Sequence, residues 1–198
     1  VHAVDSVIDG ALFNSGQSCC GIQRIYVHKS LMQEFVSRST ALIRSYSLGD
    51  PRHHETTLGP LVRASTADES RAAIAQALTA GAQELVEPHT FALEQHGSAY
   101  MAPRVLAFCN ESMPLMREEF FAPVAGIQMV ESDEHAIGLM NDSAYGLTAA
   151  IYTRTQSAAL AIGGQLETGT VFMNRCDVLD PALAWTGVKN TGRGATLS

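Results

Sequence analysis

The chain has 198 residues, 46% hydrophobic and 17% charged, with a net charge of -7 and no Lys/Arg cluster. That balance describes an ordinary soluble globular protein and argues against nucleic acid or an anionic membrane surface as a partner. The length suits one domain or a compact pair, and no apolar run approaches the roughly 18 residues a membrane span needs.

In chain order, Val4, Val7, Ile8, Ala11 and Leu12 recur at three- and four-residue spacing and predict an amphipathic helix over 2–15, broken by Gly16. The β-rich run ending at His28 predicts a strand over 22–28. Lys29 to Tyr46 predicts the next helix, with Leu31, Phe35, Leu42 and Ile43 on one face. Gly49-Asp50-Pro51 reads as a turn. An alanine-rich stretch predicts a helix over 65–80, stopped by Gly81. Residues 83–86, 103–108 and 125–130 read as strands, and 88–98 as polar and irregular. Ser132 caps a helix over 133–141, with Asp133 and Glu134 favourably placed in its first turn. Leu147 to Tyr152 is β-compatible, Thr155 to Gly163 helical and Gly169 to Asn174 a strand. A Gly-rich tail follows. The alternation predicts an α/β fold, a mostly parallel sheet flanked by helices. No internal repeat or low-complexity linker divides the chain.

The stretch Leu12 to Gly21 places Cys19 on a glycine-bracketed turn between a helix and a strand, where a thiol can be presented. A lone cysteine is more often a small core hydrophobe. Cys19, Cys20, Cys109 and Cys176 form neither a C-x-x-C pair nor a disulfide ladder, and free thiols point to a reducing, cytoplasmic setting. The chain opens on Val1 rather than Met, so this end says nothing of targeting. His53 and His54 are adjacent and would point apart on a strand, so no metal site is expected. No G-x-G-x-x-G occurs. The run Gly187 to Gly194 fails as a P-loop because Arg193-Gly194 stands where Lys and Ser or Thr are required.

Four blocks together carry a resemblance. Asn14-Ser15-Gly16-Gln17-Ser18-Cys19 resembles the active-site cysteine block of the aldehyde dehydrogenase superfamily. Arg117 to Val124 is similar to its E-E-x-F-G-P-V block, and Asn141 to Leu147 to its N-x-x-x-Y-G-L block. Gly169 to Asn174, with Trp185 to Lys189 and Gly192, resembles its closing block. Ala122 replaces the usual glycine, Thr186 the first of a glycine pair, and Gly194 the acid of G-R-E. These departures bear on the substrate more than on the chemistry.

The resemblance implies that residues 1–198 are a catalytic domain. The family's nucleotide-binding half, a glutamate in an E-L-G-G-K-like block and the final oligomerisation strand would lie outside them. It implies a small-molecule aldehyde as substrate, NAD or NADP as cofactor held mainly by the other half, and a homo-oligomer in the full-length protein. Cys19 would be the nucleophile, forming a thiohemiacetal and then a thioester, with its backbone N–H as an oxyanion donor. Cys20 competes for that role, but on a turn neighbouring side chains diverge; a vicinal disulfide would be strained. Glu119 would accept hydrogen bonds from the nicotinamide ribose hydroxyls, and Glu118 exchanges with it under a one-residue shift. Phe121 would wall the nicotinamide. Asn174 and Trp185 would line the substrate pocket, Asn174 as a structural or pocket-lining amide, with Gly187 and Lys189 at its floor; Arg175 reads as an ordinary salt-bridge partner before a binder of a substrate carboxylate. The 198 residues alone are expected to be inactive. A CoA-acylating relative would keep the same cysteine. A thiol acyl-transfer or esterase-like domain would need one of the histidines beside it.

Overall fold

The computed structural model describes residues 2–176 and 180–197; Asp177-Val178-Leu179 of the expected tail lie outside them. The elements follow the hydrophobic periods closely. In order they are α1 (His2–Leu12), β1 (Arg24–His28), α2 (Met32–Ile43), α3 (Ala64–Thr79), β2 (Gln83–Glu84), β3 (Arg104–Ala107) and β4 (Val124–Val130). Then come α4 (Asp133–Asn141), β5 (Tyr145–Gly146), β6 (Thr148–Ile151), α5 (Gln156–Gly163), β7 (Thr170–Met173) and β8 (Val188–Lys189).

The main sheet has the order β1-β4-β3-β2. β1, β4 and β3 run parallel, with Ile25 opposite Ile127 and Leu106 opposite Gly126. The two-residue strand β2 closes the edge antiparallel, so the sheet is mostly parallel, as the sequence pattern predicts. Strand alternation divides the core between two faces. Ile25, Val27, Val105 and Ile127 meet Val7 and Ile8 of α1 and Met32 of α2. Leu106 and Val124 face Ile74 and Ala77 of α3 with Met113, Leu115 and Met116. Ile8, Leu106 and Ile127 are wholly buried, each contributing on the order of 2 kcal/mol by removal from water.

The later strands form two separate ladders, β6 parallel to β7 and β5 antiparallel to β8. β8 and the Trp185–Thr196 bridge give the expected Gly-rich tail regular pairing. Among the described residues both β1 and β6 have a strand neighbour on one side only. Two expected helices are shorter than predicted. The one over 2–15 ends at Leu12, because Asn14 and Ser15 turn left-handed. The one over 29–46 opens with a 3-10 turn at 29–31 and ends at Ile43. Ser132 caps α4 as predicted, its side chain accepting from the His135 N–H.

Candidate active site

The turn that carries Cys19 is built from left-handed residues. Asn14 and Ser15 have φ of 51° and 55°, a region that only glycine and, less readily, asparagine enter cheaply. Side-chain bonds hold them there. The Asn14 amide donates to the Gln17 carbonyl at 3.1 Å, and the Gln17 amide returns a bond to the Asn14 carbonyl at 3.1 Å. Buried Ser15 donates to the Gly59 carbonyl at 2.9 Å, and Val62 N–H donates to Gln17 Oε1 at 2.9 Å. Gly16 has φ +72°, and a Cβ there would overlap the carbonyl oxygen of Ala122. The cysteine turn is thereby pressed directly against the segment that carries Glu119 and Phe121.

Gly21 N–H closes the turn onto the Ser18 carbonyl at 3.0 Å. Cys19 is exposed and Cys20 is buried. The expected divergence holds for exposure but not for the sulfurs, which lie 3.7 Å apart as free thiols. The turn is tight enough to keep them adjacent while only one reaches the surface. Among the described residues the Cys19 N–H donates to no other group.

The Glu119 segment follows a 3-10 turn at Pro114–Met116. Arg117 anchors it outward, donating to the Glu111 carbonyl at 2.8 Å, the Asp142 carbonyl at 2.7 Å and Asp142 Oδ2 at 2.8 Å. Arg117 holds the Asp142 carboxyl below the usual carboxylate range. Burial pushes the neighbouring Glu111 carboxyl the other way. Gln23 anchors the segment inward. Its Nε2 donates to the Leu115 carbonyl at 2.9 Å and to the Glu118 carbonyl, and its Oε1 accepts from Phe120 N–H at 2.9 Å. Glu119 and Phe121 are exposed, and among the described residues no hydrogen bond or ion pair engages the Glu119 carboxylate.

Cys19, Glu119 and Phe121 line one cleft of about 870 Å³, whose walls include all of β1 and all of β6. A small crevice of about 30 Å³ lies beside Cys19, bounded by Gly16, Gln23, Glu119 and Ala122. A carboxylate with no partner and an exposed aromatic ring beside a thiol fit the ribose diol and the flat ring of a nicotinamide riboside.

Asn174 and Trp185 do not line this cleft. Asn174, at φ 56°, accepts Thr153 N–H on Oδ1 at 2.9 Å and donates to the Thr153 carbonyl at 2.8 Å. Its amide is occupied in joining β7 to the end of β6. Trp185 pairs its backbone with Thr196. Lys189 donates to the Asn141 carbonyl at 2.6 Å and pairs with Glu167. Among the described residues no group of three or more His, Cys, Asp and Glu side chains is placed to hold a metal, and no helix is long and apolar enough to cross a membrane. Sequence reasoning missed Gln23 and the anchoring role of Arg117. Each acts on backbone far away in the chain, which leaves no local pattern.

Comparison with known proteins gives a consistent result. A family model described as Aldehyde dehydrogenase family matches residues 1–198. The chain is 35% identical over 196 residues to succinate semialdehyde dehydrogenase [NAD(P)+] Sad of Escherichia coli, covering 99% of this chain and 42% of that protein. It is 35% identical to vanillin dehydrogenase of Pseudomonas fluorescens, covering 98% of this chain and 39% of that protein. The chain thus spans about two-fifths of the length of these curated relatives. Among solved structures it superposes on succinic semialdehyde dehydrogenase from Streptococcus pyogenes in complex with NADP+. The TM-score is 0.90 and the identity 31%, covering 100% of this chain and 43% of that one. Betaine aldehyde dehydrogenase from Staphylococcus aureus in complex with NAD+ matches with a TM-score of 0.90 at 27% identity, covering 99% and 39%.

Proposed function

The chain belongs to the aldehyde dehydrogenase family, and from that premise we propose that residues 1–198 form the catalytic domain of an NAD(P)-dependent enzyme oxidising an aldehyde to a carboxylic acid. The observation that carries the reading is the shared cleft of Cys19, Glu119 and Phe121.

Aldehyde oxidation needs a nucleophile that makes the carbonyl carbon tetrahedral. The Cys19 thiolate adds to that carbon, and the carbonyl π electrons move to oxygen. The uncommitted Cys19 N–H donates to the resulting oxyanion. Glu119 accepts from the ribose hydroxyls and Phe121 packs on the ring, which orients the cofactor toward Cys19. When bound, the nicotinamide supplies the acceptor for the hydride that leaves the tetrahedral carbon. The acyl group remains on Cys19 as a thioester, and water opens it to release the acid and restore the thiol.

Water attack needs a general base. The reading assigns it to a glutamate outside these residues, so the 198-residue chain alone is expected not to turn over. Exposed Cys19 and the absence of any disulfide among the described cysteines support a reducing, cytoplasmic setting. A homo-oligomer is proposed for the full-length protein on the family resemblance.

The test is aldehyde-dependent reduction of NAD or NADP by the protein carrying this chain together with a nucleotide-binding portion. Cys19→Ala lowers turnover by more than about a thousandfold, and Cys20→Ala leaves it largely intact. Equal loss in both variants would overturn the assignment of Cys19.

A further inference from the structure

One side chain ties the segment between the Cys19 turn and β1 to the acidic segment opposite. Gln23 stands four residues after Cys19, on the approach to β1. Its carboxamide is used at both ends. Nε2 donates to the carbonyls of Leu115 and Glu118, and Oε1 accepts the N–H of Phe120. These three backbone groups bracket Glu119. An amide suits the task because it offers two donors and an acceptor in one plane. The partners lie 92 to 97 residues away in sequence, so nothing local in the chain sets this spacing. Gln23 also borders the small crevice together with Cys19 and Glu119.

We infer that Gln23 is a positioning residue that fixes Glu119 relative to Cys19, and so sets where the nicotinamide ribose is gripped with respect to the attacking sulfur. The inference rests on the reading of Glu119 as the ribose acceptor for its functional meaning. Its geometric content stands apart from that reading. Arg117 and its Asp142 partner hold the segment from the outer side; Gln23 supplies side-chain hydrogen bonds from the cysteine side, where Gly16 packs against Ala122.

The test uses the 198-residue chain without cofactor. Glu119→Cys in a Cys20→Ala background places a second thiol at position 119. Equilibration in glutathione redox buffers, with peptide mass mapping of the 19–119 bond, yields the effective concentration of one thiol at the other. Gln23→Met keeps the length and bulk of the side chain and removes its hydrogen bonds. It is expected to lower that effective concentration about tenfold, with an unchanged circular dichroism spectrum and protection of Cys109 from iodoacetamide showing the core intact. An effective concentration within twofold of the Gln23 parent overturns the proposal.

A second variant guards against a packing effect. Gln23→Glu keeps the acceptor for Phe120 N–H but sets a carboxylate oxygen against two carbonyls. When protonated, the acid regains a donor and resembles the amide. The Phe120 amide resonance is therefore expected to titrate with the carboxyl at position 23 and return toward its Gln23 position at low pH. A resonance that ignores pH in this variant would also overturn the proposal. The ribose reading is tested apart from this, by Glu119→Gln and the KM for NAD or NADP in the protein carrying the nucleotide-binding portion. A clamp that holds while that KM is unmoved would fail the ribose reading alone; the converse would fail the clamp alone.

Discussion

The sulfur of Cys19 lies 3.7 Å from the sulfur of Cys20, yet only Cys19 is exposed. A thiol reagent meets the two very differently. Burial also pushes the Cys109 thiol up to about 12, so it holds its proton through the neutral range. With iodoacetamide at pH 7.5, mass spectrometry is expected to find Cys19 labelled first and Cys109 unlabelled while the chain stays folded. Labelling spread evenly over all four cysteines would mean that this fold does not present Cys19.

Gly16 is required twice over, by its φ of +72° and by the Ala122 carbonyl that a side chain would strike. Gly16→Ala is expected to lower stability by about 3 kcal/mol in urea denaturation. Gly81 is the control. It also has positive φ, +103°, but nothing lies within 4 Å of a Cβ there. Gly81→Ala should cost only the backbone term, about 1 kcal/mol. Equal losses would show that the contact with Ala122 contributes nothing.

Asn174 clamps Thr153 through both ends of its amide. Asn174→Gly tolerates the left-handed backbone and removes only the clamp. The expected result is a loss of about 1 to 2 kcal/mol in stability, with KM for the aldehyde unchanged where turnover is measurable. A raised KM with unchanged stability would assign Asn174 to the substrate pocket instead.

The Arg117–Asp142 pair gives an acid-dependent hold on the Glu119 segment. Arg117 depresses the Asp142 carboxyl below its ordinary 3.8 in the folded chain. A group depressed on folding stabilises the fold above its unfolded value, and that contribution is lost as pH falls through the folded value. Glu111, raised by burial, works in the opposite sense: its ionisation costs stability as pH climbs past 4.5 toward the raised value. Carboxyl-carbon NMR should therefore show Asp142 titrating below 3.8 and Glu111 above 4.5. The amides near Glu119 should shift with Asp142. Asp142→Asn should abolish the low-pH shift of those amides.

The sequence carried much of this architecture in plain view. The apolar spacing of α1, the β-rich run before His28 and the Ser132 cap each act between near neighbours, so a local pattern encodes them. The cysteine turn and the E-E-x-F block were legible as a resemblance. What was not legible acts over long distances. The turn at Asn14 and Ser15 depends on Gly59 and Val62, and the seat of Glu119 depends on Gln23. The clamp that Asn174 makes on Thr153 was hidden for the same reason: an amide at a strand end reads alike whether it faces a pocket or another loop.

The separation of the ladders sets an order of melting. Among the described residues neither the β6–β7 ladder nor the β5–β8 ladder shares strand hydrogen bonds with the four-stranded sheet, and two-stranded ladders are marginal by themselves. The portion beyond α4 is therefore expected to open at lower free energy than the four-stranded sheet. Limited trypsin digestion should cut at Arg154 or Arg193, both exposed, well before the buried Arg71 and Arg104. Cys19 and Glu119 sit on segments packed beside the four-stranded sheet, so the turn that carries the thiol is expected to outlast the β6 wall of its own cleft.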